Sequence, residues 1–498
     1  MDVTNPNCRQ VLLAHEKFSG RWMPYRSLSN VRGSGLAMIL TKKLLDMAKK
    51  AKKLETSKGL TLKIVNPNAA GIDVAATEMQ VCVPADRDGE NNRTFGCFTK
   101  DLREICEYLK ACRIDTVAME STGIYYLPLF MMLKEYGIDV VLVNPRDIKS
   151  YSDKKTDEAD AEWLMLLHSY GLLTASFQPE NLARQIRNLA RLRDRHLDAS
   201  ASAIHHMQKA MEQMNIKLSD VLSDITGKSG MAMIGAILNG CRSPKELASL
   251  ADRRCHASAE DFEACFEGTW DDDHLFELRQ SLDDYRHFQS QAKECDKEIE
   301  KLLQQYTAQI DVRANELLRT KKKPGRKNLV TFDMESYAHA LWGVNAMAIP
   351  GMSTSSLLTL VGELGHDFTQ KFETAHQFCK WLNLVPNNKI SGGKLLSSHV
   401  PKRKNIAGQA FRLCANANRN SKNLLGYYFR RQKSKGGHKY AIVCTAHKMA
   451  KIFYSMVANQ TEFVEKMCAQ DEKSLLEKKI LRTQRMLDKL NAKLNESA

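Results

Sequence analysis

Residues 154–164 read Lys-Lys-Thr-Asp-Glu-Ala-Asp-Ala-Glu-Trp-Leu, and the interpretation of the whole chain depends on this stretch. Asp157 and Asp160 are three residues apart, so on a helix both carboxylates point to the same side. Trp163 and the leucines after it follow at helical spacing and are suited to burial, and Thr156 can cap the helix. An acidic pair in a first helical turn is, by itself, typical of a solvated face. The sequence upstream favours a second interpretation.

The segment from residue 63 to residue 143 alternates between short apolar runs and amphipathic stretches. The predicted elements are, in order, strands at 71–74, 79–83 and 93–98, a helix at 101–111, a strand at 115–119, a helix at 122–136 and a strand at 138–143. The helix with the acidic pair comes next. Three strands in hairpin order, followed by helix, strand, helix, strand and helix, are the element order of the ribonuclease H-like fold.

This order brings four acidic residues towards one point. Asp73 lies in the first strand, and Glu120 lies at the carboxyl end of the fourth strand, which neighbours the first in this topology. The helix with Asp157 and Asp160 packs across that edge. Because clustered carboxylates repel one another unless cations bind them, and because all-oxygen ligands suit Mg²⁺ or Mn²⁺, we predict a metal site. Two such metals activate an attacking oxygen and stabilise a leaving oxygen at a phosphodiester. Taken singly, each acid is weak evidence, and Asp73 alone is compatible with a strand-end turn.

The composition of the chain restricts its class. It has 498 residues, enough for two or three domains, and is 43% hydrophobic and 26% charged. The net charge of +15 favours a polyanionic partner such as nucleic acid. Thirteen cysteines form no C-x-x-C pair, which indicates reduced core residues in a cytosolic protein. No apolar run has the length of a membrane span, so we expect no membrane association.

The middle of the chain is predicted to be helical. Its first apolar stripe is Leu197, Ile204 and Met211, and a parallel series of Ser200, Met207 and Met214 starts on a polar residue. The second stripe is Phe288, Ala292, Cys295, Ile299, Leu302 and Tyr306. These stripes predict two long helices forming a coiled coil, with a smaller helical insert between them at about 216–285. Apolar periodicity does not identify its partner, so both an intramolecular hairpin and a dimer seam remain open.

A long stretch near the C-terminus has charges of one sign. Between Glu373 and Glu462 there is no acidic residue, and sixteen Lys and Arg occur there. Such a stretch predicts a surface that contacts phosphates. The candidate nucleic-acid-binding residues are Lys394, Lys402, Arg403, Lys404, Arg430 and Arg431. Within it, Ser391-Gly392-Gly393 is typical of a simple turn.

Four motifs give the chain a family resemblance: Gly-Ile-Asp-Val at 71–74, Met-Glu-Ser-Thr-Gly-Ile-Tyr at 119–125, Asn-Pro-Arg at 144–146 and Lys-Thr-Asp-Glu-Ala-Asp-Ala at 155–161. They resemble the RuvC-like domain of DEDD-type bacterial insertion-sequence transposases, a family described as bridge-RNA-guided serine recombinases. The similarity continues to about residue 460. It implies double-stranded DNA as substrate, a guide (bridge) RNA, a homo-oligomer, dimer or tetramer, and an active site shared between protomers.

The resemblance also implies a nucleophile. The family places a serine directly before a Gly-Gly pair, after a Leu-Val-Pro segment, and Leu384-Val385-Pro386 and Ser391 match that pattern. Serine needs activation to attack phosphorus, and a metal cluster with nearby cations is able to supply it. Ser397 and Ser398 are close competitors for the same role.

We therefore predict a DNA transposase or recombinase with an α/β plus all-α fold: a ribonuclease H-like (RuvC-like) domain, a helical coiled-coil middle and a mainly helical C-terminal domain. The predicted segments are a basic extension at 1–62, the DEDD domain at 63–178, the helical middle at 179–320, a basic linker at 321–339, the transposase domain at 340–460 and a charged helix at 461–498. The expected chemistry is Mg²⁺-dependent strand exchange through a phosphoserine–DNA intermediate, in the bacterial cytoplasm at the nucleoid. The rivals are a metal-only, RuvC-like structure-specific nuclease and a non-catalytic nucleic-acid binder.

Overall fold

The computed structural model describes residues 63–121, 123–144, 157–310, 316–320, 327–401, 404–468, 480–481 and 483–488. The chain divides into two compact units, the first ending at Ser176 and the second beginning at Phe177. Within the described ranges, no helix combines the length and apolarity that a membrane crossing requires. The predicted extension at 1–62, the linker residues 321–326 and most of the C-terminal tail lie outside the described residues.

The first unit contains a five-stranded mixed sheet with the strand order β3-β2-β1-β4-β5. Its strands are β1 (Ala69–Val74), β2 (Glu78–Cys82), β3 (Asn92–Gly96), β4 (Thr116–Glu120) and β5 (Asp139–Val143), and its helices are α1 (Thr99–Ala111), α2 (Tyr126–Glu135) and α3 (Asp157–Ser169). The first three strands pair antiparallel, whereas β4 pairs parallel with both β1 and β5. The predicted ribonuclease H-like arrangement is confirmed.

The two faces of this sheet are covered by different helices. Ile72 and Val117 point to the face where α1 and α2 pack, and they share a buried core with Ile105 of α1 and Leu133 of α2. The spacing of Leu102, Ile105, Cys106 and Leu109 follows one side of a helix, which is why α1 lies flat on the sheet. On the opposite face, Ala118 and Val143 pack against Leu164 of α3. The sheet is therefore buried on both sides, as parallel strands require.

The second unit is built on two long helices, α4 (Asn181–Gln213) and α9 (Asp272–Ala308). Between them lie α5 (Leu218–Val221), α6 (Lys228–Leu238), α7 (Pro244–Ser249) and α8 (Ala259–Cys265), within the region where a helical insert is predicted; α9 begins before the expected end of that insert at about 285. Arg193 Nε lies 2.6 Å from Asp296 Oδ1, Gln289 Nε2 donates to Ser200 Oγ at 2.9 Å, and Lys209 Nζ lies 3.3 Å from Glu277 Oε1. As residue numbers rise along α4 they fall along α9, so the two helices run antiparallel within one chain.

The buried seam of α4 follows the series that begins on a polar residue. Ser200, Met207 and Met214 are buried. In the first stripe Met211 is buried as well, while Leu197 and Ile204 are half-buried. The polar start is accommodated because the Ser200 hydroxyl accepts a hydrogen bond from Gln289 of α9. Each helix of this pair has its partner in the same chain. That the two helices form a coiled coil, and that they also contact a second protomer, both remain predictions.

The remaining helices of the second unit pack around an aromatic core. They are α10 (Met334–Trp342), α11 (Thr354–Leu364), α12 (Phe368–Lys371), α13 (Ala375–Trp381), α14 (Ile406–Ala417) and α15 (Leu424–Asn459), with 3₁₀ turns at Ala346–Ala348 and Glu465–Cys468. Phe368 stacks on Phe453 with ring centroids 5.3 Å apart, and Trp342 meets the same ring edge-on. Ile186 of α4 and Ile299 of α9 join this core.

Two features interrupt this helical region. A two-stranded antiparallel sheet, β6 (Asn387–Ser391) and β7 (Lys394–His399), lies between α13 and α14. Helix α15 bends at Gly436 and Gly437, and the latter adopts a φ of 79°. The residues from 433 to 440 around this bend are exposed.

Candidate active site

Asp73 and Glu120 lie at the same level on neighbouring strands. Ile72 is opposite Met119 in the parallel β1–β4 pair, so the next residues along each strand, Asp73 and Glu120, stand side by side at the carboxyl edge. Because side chains alternate between the faces of a sheet, both share the face of Gly71 and Ala118. Both acids are half-buried.

Helix α3 covers this face and runs antiparallel to β1. The Ser169 carbonyl at its C-terminal end accepts hydrogen bonds from the N–H groups of Val65 and Asn66, at 2.9 and 3.0 Å, just before β1. The middle of α3 lies over Gly71, where a Cβ atom would be 2.2 Å from the Ala161 carbonyl oxygen. The first turn of α3 therefore lies towards Asp73, further along the same strand.

This first turn carries the remaining acids of the predicted set. Asp160 is half-buried, immediately before the fully buried Ala161. Asp157 is the first residue of α3, and its side chain lies outside the described part of the structure. The neighbouring Glu158 is exposed, although its backbone carbonyl accepts a hydrogen bond from Asn92 Nδ2 at 2.9 Å. The structure thus brings Asp73, Glu120 and the Asp160 turn to one edge of the sheet.

Polar contacts hold both the helix and the strands that bear these acids. His168, the penultimate residue of α3, places Nε2 2.9 Å from Thr116 Oγ1 at the start of β4. Burial lowers the pKa of His168, which favours the neutral ring in this contact. After Glu120, the amide and hydroxyl of Ser121 each donate to the Val143 carbonyl at 3.0 Å. The Asp73 carboxylate accepts from the N–H of Val74 at 3.0 Å.

The donor set at this edge fits a hard divalent cation. Among the described residues its groups are the carboxylates of Asp73, Glu120 and Asp160, which offer oxygen donors. Such ligands suit Mg²⁺ or Mn²⁺, whereas zinc sites favour nitrogen and sulfur. The chemistry of these residues is therefore compatible with the metal that the sequence predicts.

Ser391 lies at the tip of the β6–β7 hairpin. It is the last residue of β6, and it pairs with Lys394, the first residue of β7. The two residues between them, Gly392 and Gly393, have φ values of 55° and 74°. Two consecutive positive φ angles are the requirement of a type I′ hairpin turn, and glycine meets it without strain. Ser391 and Lys394 are exposed together at this tip.

The competing serines lie within the second strand of the hairpin. Ser397 is opposite Lys389 and is half-buried, and Ser398 is opposite Asn388 and is exposed. Among the three serines, Ser391 is the one at the turn. Neither the turn position nor the exposure by itself assigns a chemical role.

The predicted phosphate-contacting cations have different surroundings. Lys394, Lys404 and Arg431 are exposed, whereas Lys402 and Arg403 lie outside the described residues. Arg430 is half-buried; its Nη1 donates to the carbonyls of Arg419 and Ser421, and its guanidinium stacks on Tyr427 at 4.8 Å from the ring centroid. Arg430 thus also holds the start of α15 against the preceding turn.

Sequence reasoning missed a polar cluster in the second unit. Glu180, His366 and Asp367 place carboxylate and imidazole ligand atoms within 4.8 Å of one another, a spacing at which a metal ion can bind. His366 Nδ1 lies 2.7 Å from Glu180 Oε1, and Lys371 Nζ lies 2.8 Å from Asp367 Oδ2. Burial raises the pKa of Glu180. The Lys371 ammonium already provides a cation for the cluster. The Glu180–His366 contact connects the residue before α4 to the segment that follows α11.

The fold and its acidic edge define a class of protein. A mixed sheet of this order, covered by helices on both faces, is a ribonuclease H-like domain. Comparison with family models gives two matches. Residues 70–216 match a transposase model of the DEDD type, IS110, and residues 345–422 match the model described as transposase IS116/IS110/IS902 family. The chain is a DEDD transposase of the IS110 family. Comparison with curated proteins gives no match.

Membership of this family makes the chain a DNA-acting, DNA-binding enzyme. The first match contains the sheet and α3, and the second contains the β6–β7 hairpin. Domains of the DEDD type typically use a divalent metal, in agreement with the oxygen donors at the carboxyl edge.

Proposed function

We propose that the chain excises and inserts a mobile element by Mg²⁺-dependent DNA strand cleavage and exchange, with Ser391 as the nucleophile. A covalent phosphoserine–DNA intermediate conserves the energy of the broken phosphodiester. A structured guide RNA selects the DNA, and the enzyme acts as a homo-oligomer on nucleoid DNA in the bacterial cytoplasm. The observation that carries the proposal is the side-by-side placement of Asp73 and Glu120 under the first turn of α3.

The acidic edge is proposed to bind metal and orient the phosphodiester. Asp73, Glu120, Asp157 and Asp160 would hold Mg²⁺, which supplies positive charge against the phosphate and favours deprotonation of an attacking hydroxyl. The pairing of β1 with β4 fixes Asp73 next to Glu120, and the packing of α3 on β1 fixes the position of the acids in the first turn of α3. A rigid arrangement of this kind reduces the reorganisation needed when charge develops at phosphorus.

The hairpin is proposed to deliver the nucleophile. The Ser391 hydroxyl oxygen forms a bond to phosphorus, the bond from phosphorus to one DNA oxygen breaks, and that oxygen leaves as a hydroxyl after taking up a proton. The Ser391 proton passes to a base at the site. A hydroxyl from another strand then attacks the phosphoserine, which restores a phosphodiester and releases Ser391. Lys394, the partner of Ser391 across the turn, lies where its charge favours phosphate binding.

The metal site is tested by conservative changes in the acids. Asp73→Asn and Asp160→Asn remove one negative charge with almost no change in volume, so we expect a folded protein without cleavage or strand exchange. Glu158→Gln is the matched control, because Glu158 lies in the same helical turn but is exposed, and it should retain activity. The substrate is a linear duplex that carries an end of the element encoding the chain. Full activity of either Asn variant, or of the wild type in EDTA, would refute the metal assignment.

The nucleophile is tested on a denaturing gel after incubation with the same labelled duplex and Mg²⁺. Wild type should form a protein–DNA adduct, and Ser391→Ala should bind DNA but form none. Ser398→Ala, a change at an exposed serine of the same hairpin, should leave the adduct unchanged. An adduct that persists in Ser391→Ala would move the nucleophile to Ser397 or Ser398. Efficient cleavage without any adduct in wild type would favour the metal-only nuclease.

The guide RNA is tested by sequencing the RNA that co-purifies with the chain. We expect one structured species that carries segments complementary to the element end and to a target. A random sample of cellular RNA would contradict the guide, while leaving the serine and metal proposals intact.

A further inference from the structure

The β6–β7 hairpin has two chemically different faces. Ser391 and Lys394 form the cross-strand pair at the turn, and Lys389 and Ser397 form the pair two positions further from it. Because side chains alternate along a strand, both pairs lie on the same face of the hairpin. Ile390 and Leu395 are opposite each other between them, so they face the other side. One face is therefore polar and basic, and the other is apolar at the tip.

Three apolar side chains of the hairpin are exposed, and two of them, Ile390 and Leu395, are opposite each other on the apolar face. Ile390, Leu395 and Leu396 are 66%, 59% and 68% exposed, and a register shift between Lys389 and Ile390 leaves Leu396 as an extra residue in the second strand. A two-stranded hairpin alone is only marginally stable in water, and contiguous exposed apolar side chains mark an interaction surface. The tip of this hairpin is thus expected to be covered by a partner when the protein works.

The charge around the hairpin favours DNA over a protein partner. Lys389 and Lys394 are exposed on its polar face, and Lys404 is exposed beyond its base. The nearest acidic residues in sequence are Glu373 and Glu462, outside the whole basic stretch. A nucleic acid complements both faces of such a ribbon, because its phosphates suit the basic face and the flat apolar faces of its bases suit the other.

The apolar residues of the hairpin adjoin the proposed nucleophile at a distance comparable to one base step. Adjacent Cα atoms lie about 3.8 Å apart, and successive nucleotides of one strand in a duplex rise by about 3.4 Å. Ile390 directly precedes Ser391, so a phosphodiester facing Ser391 lies within one base step of the apolar side chains. Apolar side chains inserted at a base step unstack it and kink the duplex in several DNA-binding proteins.

We propose that the β6–β7 hairpin is a strand-opening pin. Ile390, Leu395 and Leu396 pack against a base that they unstack, next to the phosphodiester that Ser391 attacks, while the Ser391–Lys394 face contacts the backbone. This inference rests on the proposed attack by Ser391, and it adds a physical step before it. Opening the stack exposes the phosphodiester to the hydroxyl and frees bases for strand exchange.

The test uses the full chain with its co-purifying RNA, the element-end duplex and Mg²⁺. The pin variant is the triple change Ile390→Gln, Leu395→Gln and Leu396→Gln, which introduces no new hydroxyl beside Ser391. All three side chains are exposed, so no core cavity results. Leu413→Gln is the control, because Leu413 is 62% exposed on α14, outside the hairpin. Permanganate footprinting reports unstacked thymines, and a denaturing gel reports adduct on the same DNA.

Wild type, Ser391→Ala and Leu413→Gln should all show permanganate-reactive thymines at the cleavage step. The pin variant should lose this reactivity and form adduct roughly tenfold more slowly, within the range that loss of one base–side-chain contact produces. A duplex with a mismatched bubble at that step should restore its adduct rate. Retained reactivity in the pin variant, or no rescue by the bubble, would overturn the pin.

The same experiments separate failure of the pin from failure of the proposed chemistry. Wild type that forms adduct without opening the duplex rejects the pin and keeps Ser391 as the nucleophile. Wild type that opens the duplex without adduct keeps the pin and rejects the serine. If the triple variant instead changes the oligomeric state in light scattering while the footprint stays constant, the apolar tip contacts a second copy of the chain and the pin is wrong.

Discussion

Replacing Gly71 by alanine should disable the enzyme more than it destabilises it. Gly71 lies in the middle of β1, where an added Cβ atom would be 2.2 Å from the Ala161 carbonyl oxygen and 2.4 Å from the Met165 amide nitrogen. Both neighbours are backbone atoms of α3, so no side-chain rotation relieves the overlap. Ordinary van der Waals contact begins near 3.4 Å, and the helix must therefore move away from the sheet by roughly 1 Å.

The two consequences of this movement differ in size. Overpacking of this kind costs about 1–3 kcal/mol of unfolding free energy, which a folded domain commonly tolerates. The same movement carries Asp160 away from Asp73 and Glu120, and a displacement of about 1 Å in a catalytic arrangement lowers rates by roughly a hundredfold. We expect a folded variant whose α3 exchanges amide hydrogens faster and whose cleavage is lower by about that factor.

The assay combines hydrogen exchange of α3 and β1 with the rate of strand cleavage on the element-end duplex. Gly89→Ala is the matched control, because a Cβ atom there meets no atom within 4 Å and the residue lies in the same unit. It should match wild type in both measurements. A Gly71→Ala protein with wild-type cleavage would refute the reasoning that α3 positions the acids.

Three further predictions concern the second unit. Asp296→Ala should lower the free energy of unfolding by roughly 3–5 kcal/mol in chemical denaturation, because it leaves Arg193 buried without its carboxylate. Asp333→Ala should lower the free energy of unfolding by about 1 kcal/mol in the same measurement, because the Asp333 side chain caps the N-terminus of α10. The Arg319 hydrogen bond lowers the pKa of Asp333, so this contribution is present above the ordinary carboxyl pKa and is lost as the pH falls through the lowered value. Replacing Lys402, Arg403 and Lys404 by alanine should weaken DNA binding equally across sequences. The slope of the logarithm of the binding constant against the logarithm of salt concentration should fall by about one for each phosphate that is no longer neutralised. Fluorescence anisotropy measures both effects.

The sheet and its acids were predictable because their signals are local. The alternation of apolar residues and the order of the elements sufficed to place Asp73 and Glu120 on adjoining strands, and the structure has them in register. The predicted strand at 115–119 and helix at 101–111 agree with β4 and α1 to within about two residues. The acids are expected at one edge as soon as the strand order is known, since the carboxyl ends of parallel strands lie together.

The rest depends on contacts between distant residues. The role of Gly71 follows from the approach of Ala161, ninety residues later, although a glycine inside a strand is a recognisable sign of close backbone approach. The β6–β7 strands were missed because β6 has Ile390 as its one apolar residue and the extra residue Leu396 breaks the alternation of β7. The Glu180–His366 contact joins residues far apart in sequence that carry no motif.

The antiparallel pair of α4 and α9 also sets a fixed distance within the second unit. Helix α4 has 33 residues. At 1.5 Å each it is roughly 50 Å long, the length of about fifteen base pairs. The core of the insert lies at one end of the helix pair, and the aromatic core lies at the other end. Between them, the Arg193–Asp296 and Ser200–Gln289 contacts fix the register. Removing seven residues from each helix would keep the faces aligned and bring the insert closer by roughly 10 Å, or about three base pairs. The length of this pair therefore sets the distance between the insert and the aromatic core.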